Sequence, residues 1–514
     1  MDGDTMAEPG GGSDMAGQRS MTASTGGRAE AVKATASGRW LLPLIMVIGA
    51  GLRLWMLGSQ SLSNDEVEDL RVAIESETWG DAFAGARRFP PGYHLALRAW
   101  SLVVDSDLGA RLFSVVIGLA VIAIMWQIGL ALGSRQTAAA TAAITAISPF
   151  AVWYSQETRV YGLYLALAAG FVWRLLVALD TDRRADWLWA AALATAGTYV
   201  HYYFGLIIVV AVAAVAISRR TSETGAGSAR PRLLALAVTA IAVIPAVGLW
   251  LQDIRGDWGF ARDARFGIPE FGFSYFSIFT GYTLGPSLRE LHELGTLEAI
   301  LRSIPWILAV GIPGYVLVAI GWTRLRPGDS KTVLTMMAAV PVLAVGLVSV
   351  VAPFGFNIRH TVWLFIPLIT FAGRAIDDRR WWVRAAFGLV AVSSLIAIGN
   401  RNLNADHRNE DVARLAPHIS QAAEDPVYVI SGYMAEPVLH YLESGVMVIG
   451  LPDVAEDGAG LEAALSQIDT ERPYWLVVSR AFHGDPRGLV VAALRPQLTE
   501  TVSYAGVILY RGEP

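Results

Sequence analysis

The chain of 514 residues contains no cysteine, so disulfides, thiolate metal sites and thiol nucleophiles are excluded. Charged residues are scarce, at 17%, and the net charge of −5 gives no basic footprint for a nucleic-acid partner. No Gly-rich phosphate loop of the Walker type occurs. That absence argues against an ATP-driven pump, though not against a secondary transporter. No repeat of solenoid length is visible. The first 38 residues are rich in Gly, Ala, Ser, Thr and Met and lack any apolar run, so they hold no signal-peptide core and read as a disordered tail.

What is present is apolar. Hydrophobic residues make up 54% of the chain, and mean hydropathy is +0.44. A membrane span needs roughly 20 mostly apolar residues. Eleven segments approach or reach that length: 40–57, 108–132, 137–152, 160–179, 187–200, 201–217, 233–251, 304–321, 332–352, 361–375 and 381–398. The expected fold is therefore an α-helical polytopic membrane protein of about 11 transmembrane helices across residues 39–400, with residues 40–57 as a signal anchor. The basic connections are Ser134-Arg135, Asp182-Arg183-Arg184, and residues 218–232, 323–331 and 377–380; all fall on one side. Lys and Arg concentrate in cytoplasmic loops, so that side and the N-terminus are expected to be cytoplasmic at a plasma membrane. Residues 91–104, which include His94 and Arg98, are too short to span and belong to an outer loop over residues 58–107. A second outer loop, 252–303, is rich in Gly, Pro and aromatics and reads as a lid. From residue 404 to 514 the chain turns polar. Strand-like runs at 427–431, 446–450, 474–479 and 506–510 alternate there with helix-like runs, and a small extracytoplasmic α/β domain is expected.

Three features could carry chemistry. Ser63-Asn64-Asp65-Glu66 has the spacing of a capping box, Ser63 with Glu66, at the start of a surface helix. Its structural reading is a helix start stabilised by acids. Its functional reading is that Asp65 is a general base facing a membrane-embedded site, or a metal ligand together with Glu66. The second feature, Trp153 to Tyr161, sits between two spans on the side of Asp65. Aromatics suit the interface, but Gln156, Glu157 and Arg159 bunched in one short connection exceed what anchoring needs. The third is a set of cations at outer span ends: Arg53, Arg111, Arg159, Arg359 and His360. Several guanidinium groups on the side disfavoured for positive charge suggest an anion at membrane depth, phosphate above all. Arg87-Arg88, His94, and His201-Tyr202-Tyr203 are further substrate-side candidates. Asp105–Asp107 and Asp180–Asp182 form Asp-x-Asp triplets but read as structural.

Asp65-Glu66, the Pro90-Pro91 helix, Gly109-Ala110-Arg111-Leu112 and Tyr154-Ser155-Gln156-Glu157-Thr158-Arg159-Val160-Tyr161 together resemble the GT-C membrane glycosyltransferases. The branch most similar is the bacterial family 39-like one, related to protein O-mannosyltransferases and the lipid A aminoarabinose transferase. Asn357-Ile358-Arg359-His360 resembles a later segment of that family, with His360 where Tyr is usual, and Asn409 to Ala413 resembles the start of an outer domain. The resemblance implies a polyprenyl-phosphate-linked monosaccharide donor, an acceptor hydroxyl on a glycan, lipid or protein, and transfer outside the cytoplasm. It implies Asp65 as catalytic base, with Glu66 beside it. Arg159, Arg359 and Arg111 would bind the donor phosphate, and Arg88, His94, Gln156, Glu157, Tyr161, His201, Tyr202 and His360 would line the substrate site. No cofactor is implied; a divalent metal on Asp65 and Glu66 stays open. The competing class is a transporter or flippase of a lipid-linked anion, which would distribute polar residues through mid-membrane and carry an inverted repeat. A third is a non-catalytic scaffold whose outer domain binds a partner.

Overall fold

The computed structural model describes residues 40–86, 89–220, 230–253, 267–287, 290–291, 294–351 and 358–514. Arg87, Arg88, Asn357 and residues 254–266 of the expected lid fall outside them.

Among the described residues six helices are long and apolar enough to cross a membrane: Asp107–Leu132, Val160–Thr181, Arg230–Leu249, Leu297–Arg324, Asp329–Leu347 and Trp381–Leu403. The chain is thus a multi-pass membrane protein. Two further helices, α1 (Arg135–Ile147) and α2 (Pro149–Gln156), are long and apolar enough only together, as a broken span or a re-entrant loop bent by 55°. The bend has a local cause. A proline disfavours helical geometry in the residue before it, and Ser148 is extended (ψ 123°) and caps α2 by accepting from Ala151 N at 3.2 Å. The break frees the last carbonyls of α1, and lipid supplies no donors for them. Arg53, fully buried, donates to Thr145 O and Ala146 O at 3.3 and 2.9 Å, and to Ser155 Oγ at 3.0 Å. Arg53 is therefore a structural cation and not part of an anion site.

By length and apolarity the expectation of eleven spans is not met among the described residues. Leu41–Leu54 has 14 residues; at about 1.5 Å per residue it falls short of roughly 30 Å of hydrocarbon. Phe365–Arg374 is 10 residues long, and all but Arg374 are buried. It lies inside the bundle, surrounded by protein. Small residues let it pack: Gly373 sits against Thr141, and Gly321 against the Phe371 carbonyl, too close for any side chain.

Residues 58–107 hold α3 (Asn64–Leu70), which runs on into a π-turn over Arg71–Glu75, and α4 (Gly92–Ser101). The capping box at Ser63 and Glu66 forms as its spacing suggests: Glu66 N donates to Ser63 Oγ, and Ser63 N to Glu66 Oε2 at 2.9 Å. The C-terminal residues build a five-stranded sheet of order β2-β1-β3-β5-β4, from β1 (Val427–Ile430), β2 (Val448–Gly450), β3 (Tyr474–Ser479), β4 (Leu498–Tyr504) and β5 (Val507–Gly512). β1 pairs in parallel with β2 and β3, while β3–β5 and β5–β4 are antiparallel. This sheet domain rests on the loop 58–107. Asn409 N donates to Gln60 Oε1 at 3.0 Å, Ala413 N to Ser61 Oγ at 3.1 Å, and Leu62 N to Tyr441 Oη at 2.7 Å.

Candidate active site

Asp65, Arg159 and Arg359 lie 94 and 200 residues apart along the chain and meet in one cluster. Asp65 opens α3; Arg159 precedes Val160–Thr181; Arg359 stands in the turn Ile358–Leu364. The Asp65 Oδ2 atom accepts from Arg359 Nη1 at 2.8 Å and lies 3.5 Å from Arg159 Nη2. Arg159 Nη1 also donates to the Asp65 carbonyl at 2.8 Å and to Asp69 Oδ2 at 2.9 Å. A third of the Asp65 side chain (32%) remains exposed, against 7% for Arg159. Arg159 foremost, opposed by burial and helped by Arg359 and Arg480, holds the Asp65 carboxyl well below the usual carboxylate range. Arg159 keeps a buried Nε with no partner among the described residues.

Behind Arg159 lies a small pocket lined in part by Asp69, Phe89 and His94. His94 Nε2 bonds Asp69 Oδ1 at 2.9 Å, so His94 reaches the cluster through Asp69. Asp69 escaped the sequence reading. Its signal was there: it follows Asp65 by four residues, which puts both carboxylates on one helical face.

The other side is aromatic. Phe89 and Tyr161 flank the Arg159 guanidinium, each ring 5.8 Å away. His201 stacks on Tyr164 at 4.4 Å and meets His360 at 5.4 Å. Burial, then the neighbouring charges of Arg359 and Arg159, pushes His360 down to about 3, and His201 is also held well below its ordinary value by burial first. Both imidazoles are neutral walls, not counter-cations. Tyr202 borders the same turn and is half-buried.

Glu157 is buried beside Arg359 and Arg401, with Oε2 unpartnered among the described residues; burial raises its pKa, partly offset by those arginines. Arg401, at the end of the last long helix, stacks on Trp153 at 3.8 Å and leaves Nε and Nη1 without partners among the described residues. No local pattern marked Arg401 in the sequence.

Three expected ligands are otherwise engaged. Glu66, fully buried, accepts from Arg111 Nε, Arg111 Nη2, Thr158 N and Ser63 N at 2.9–3.0 Å. Burial alone would raise its pKa, but Arg111 and these bonds hold it below the ordinary value. Arg111 spends its remaining donors on Leu57 O, Gln60 O and Ser61 O, so all five N–H groups are used and none is left for a phosphate. Gln156 Nε2 donates to Arg53 O and Trp55 O, both at 3.0 Å, closing the end of Leu41–Leu54. These residues position the site. Nor do Asp65 and Glu66 fit a metal, because their carboxylates are committed to different arginines. Among the described residues no three His, Asp or Glu side chains converge as a metal site.

Comparison with known proteins supplies a fold. Residues 89–250 match the family model of the dolichyl-phosphate-mannose-protein mannosyltransferases, a stretch that holds Arg159 but neither Asp65 nor Arg359. No curated protein matches the sequence. Among solved structures, ArnT from Cupriavidus metallidurans in the apo state superimposes with a TM-score of 0.60 at 14% identity, covering 93% of this chain and 98% of that one. The same protein bound to undecaprenyl phosphate gives 0.53 at 14% identity, over 91% and 97%. The oligosaccharyltransferase of Archaeoglobus fulgidus, with Zn and sulfate, gives 0.51 at 10% identity, over 86% of this chain and 68% of that one.

Proposed function

We propose that this chain, which has the fold of the GT-C glycosyltransferases, moves a monosaccharide from a polyprenyl-phosphate donor to an acceptor hydroxyl on the outer side of the membrane. The observation that carries the proposal is the Asp65 carboxylate shared by Arg359 and Arg159, with a third of its surface open. One group can take a proton there while two others receive a departing anion. Undecaprenyl phosphate, bound by the ArnT neighbour, is the chemical model for the leaving group.

In the resting protein Asp65 is a weak base, because two guanidinium groups stabilise its charge. A donor phosphate competes for the same groups. As Arg359 and Arg159 turn to phosphate, Asp65 loses its counter-charges and its basicity rises. Donor binding thus arms the base. The acceptor oxygen then attacks the anomeric carbon from the face opposite the phosphate, giving inversion, and its proton passes to Asp65. The C–O bond breaks with its electron pair going to the phosphate, whose growing charge Arg359 and Arg159 stabilise. Such a leaving group needs no general acid. Neutral His201 and His360, with Tyr161 and Phe89, wall the sugar side and exclude water.

A flippase would need polar groups through mid-membrane. The cluster described here gathers at span ends and in the outer loop, which favours transfer. The direct test gives purified protein a polyprenyl-phosphate sugar and follows donor turnover in wild type and Asp65→Asn. Equal turnover in the two removes Asp65 from the mechanism; lipid movement in proteoliposomes without sugar transfer supports the flippase.

A further inference from the structure

The sheet domain contains a topological switch. From β1 the chain crosses to β2 on one side, then from β2 to β3 on the other, with all three strands parallel. In sheets wound this way, ligands bind outside the carboxyl ends of the strands where the winding reverses. Here β1 ends into Ser431 and β3 into Arg480, and both residues take the left-handed backbone that non-glycine residues rarely adopt (φ 61° and 46°). The paired ladder does not require this, since it stops at Ile430 and Ser479. Strain of this kind collects where a surface is shaped for a task.

The two loops are clamped together. Ser431 Oγ donates to the Arg480 carbonyl at 2.8 Å and accepts from Gly484 N at 3.1 Å. Gly484 lies so close that a Cβ would meet Ser431 N at 2.4 Å. Tyr433 Oη and His483 Nδ1 are 2.8 Å apart across the seam. Glu410 holds Arg480 in a two-pronged pair at 2.8 and 3.1 Å. The result is a fixed, half-buried surface of Tyr433, Arg480, Phe482 and His483.

The base of that surface is tied to the loop that carries Asp65. Glu410 follows Asn409, whose backbone and side chain bond Gln60 and Ser61, just before the Ser63 cap of the Asp65 helix. The Arg480 charge reaches Asp65 and helps to keep it ionised.

We infer that this surface, Tyr433, Arg480, Phe482 and His483 backed by Glu410, is the acceptor site, and that its ligand is a neutral carbohydrate presenting a hydroxyl to Asp65. The inference rests on the glycosyl-transfer reading above. Flat rings suit the apolar faces of sugars. The planar guanidinium–carboxylate pair offers adjacent donors and acceptors to vicinal hydroxyls. Because Glu410 neutralises Arg480, the surface favours an uncharged ligand over an anionic one. A peptide added as a strand would need an open sheet edge; the edges are β2 and β4, at the ends of the strand order, whereas this surface lies at its centre.

The test uses the full chain in detergent on an array of immobilised neutral mannose, glucose, galactose and arabinose oligosaccharides alongside unmodified peptides, and measures the Kd for undecaprenyl phosphate separately. The expected result is oligosaccharide binding that falls at least tenfold in Tyr433→Ala and in His483→Ala, with the undecaprenyl-phosphate Kd unchanged. Phe482→Ala leaves the clamp intact, so it decides the matter if either other variant fails to fold. Binding to peptides alone, no oligosaccharide binding, or variants equal to wild type overturns the acceptor assignment while the donor reading stands. Failure of the wild type to bind undecaprenyl phosphate removes the donor reading, and this acceptor role with it.

Discussion

Asp65 and Glu66 are adjacent in sequence, yet their carboxylates serve different arginines: Asp65 Oδ2 meets Arg359 Nη1 at 2.8 Å, and Glu66 Oε1 meets Arg111 Nε at 3.0 Å. Consecutive helical residues point about 100° apart, so one side chain stays at the open cluster and the other enters the protein. Glu66 ties together the loop 58–107, the helix Asp107–Leu132 and the Thr158 turn. Glu66→Ala strands the buried Arg111 charge, and loss of one partner of such a pair costs about 3–5 kcal/mol. Glu66→Ala is expected to lower the melting temperature sharply and reduce the yield of folded protein. Asp65→Asn is expected to melt near wild type and lose roughly 10²–10⁴-fold in turnover. Thermal melting beside donor turnover checks both; a stable, inactive Glu66→Ala would move catalysis to Glu66.

Arg359 has two separable effects. As a stabiliser of developing phosphate charge, its replacement by Gln is expected to lower kcat roughly 10²–10³-fold. As a counter-charge to Asp65, its loss lets the carboxyl pKa rise. The sign follows: a depressed carboxyl stays ionised as pH falls, so the residual activity of Arg359→Gln begins to fail at higher pH than that of wild type. A pH–rate profile shows whether the acid limb moves up. An unmoved limb assigns it to another group.

How much of this was legible in the sequence depended on how local each cause was. The capping box at Ser63 and Glu66 is complete within four residues and could be read directly. Four of the five strands coincide with apolar runs, whereas β4 is an exposed edge strand whose Thr, Glu and Ser gave no such run. Residues 137–152 read as one span because Ser148-Pro149 was not weighed as a break. Phe365–Arg374 read as a span because composition does not distinguish burial in protein from burial in lipid. Arg111 and Gln156 looked like ligands because the carbonyls that occupy them come from distant parts of the chain. Arg401 stayed hidden for the same reason: its place beside Trp153 and Glu157 exists only after folding.

Asp69 is a positioning residue, since it acts through Arg159 and His94. Its two oxygens hold Arg159 Nη1 and His94 Nε2, both at 2.9 Å. Asp69→Asn keeps the shape but loses the charge that fixes the guanidinium. A displacement on the order of 1 Å at a reacting centre costs about 10²-fold, and a loss up to that size is expected in kcat. Acceptor KM should change little, which separates positioning from acceptor binding. His94→Gln can still donate to Asp69 and should retain more activity than His94→Ala.

The docking of the sheet domain carries a pH-dependent contact. His440 Nε2 lies 3.1 Å from Asp107, and that hydrogen bond, more than the opposing burial, raises the His440 pKa; the charges of Asp107 and Glu75 add to it. A raised folded value means that the protonated ring stabilises docking fully below its unfolded pKa of about 6.5. The contribution is lost as pH rises through the folded value. The contacts of Asn409 with Gln60 and Ser61 involve no titratable group, so docking should loosen without being lost. Hydrogen exchange in the segment joining Trp381–Leu403 to the sheet is expected to quicken, beyond the intrinsic rate increase, as pH rises above neutrality. In His440→Gln that extra quickening should vanish. If the variant keeps it, the pH dependence arises elsewhere in the interface.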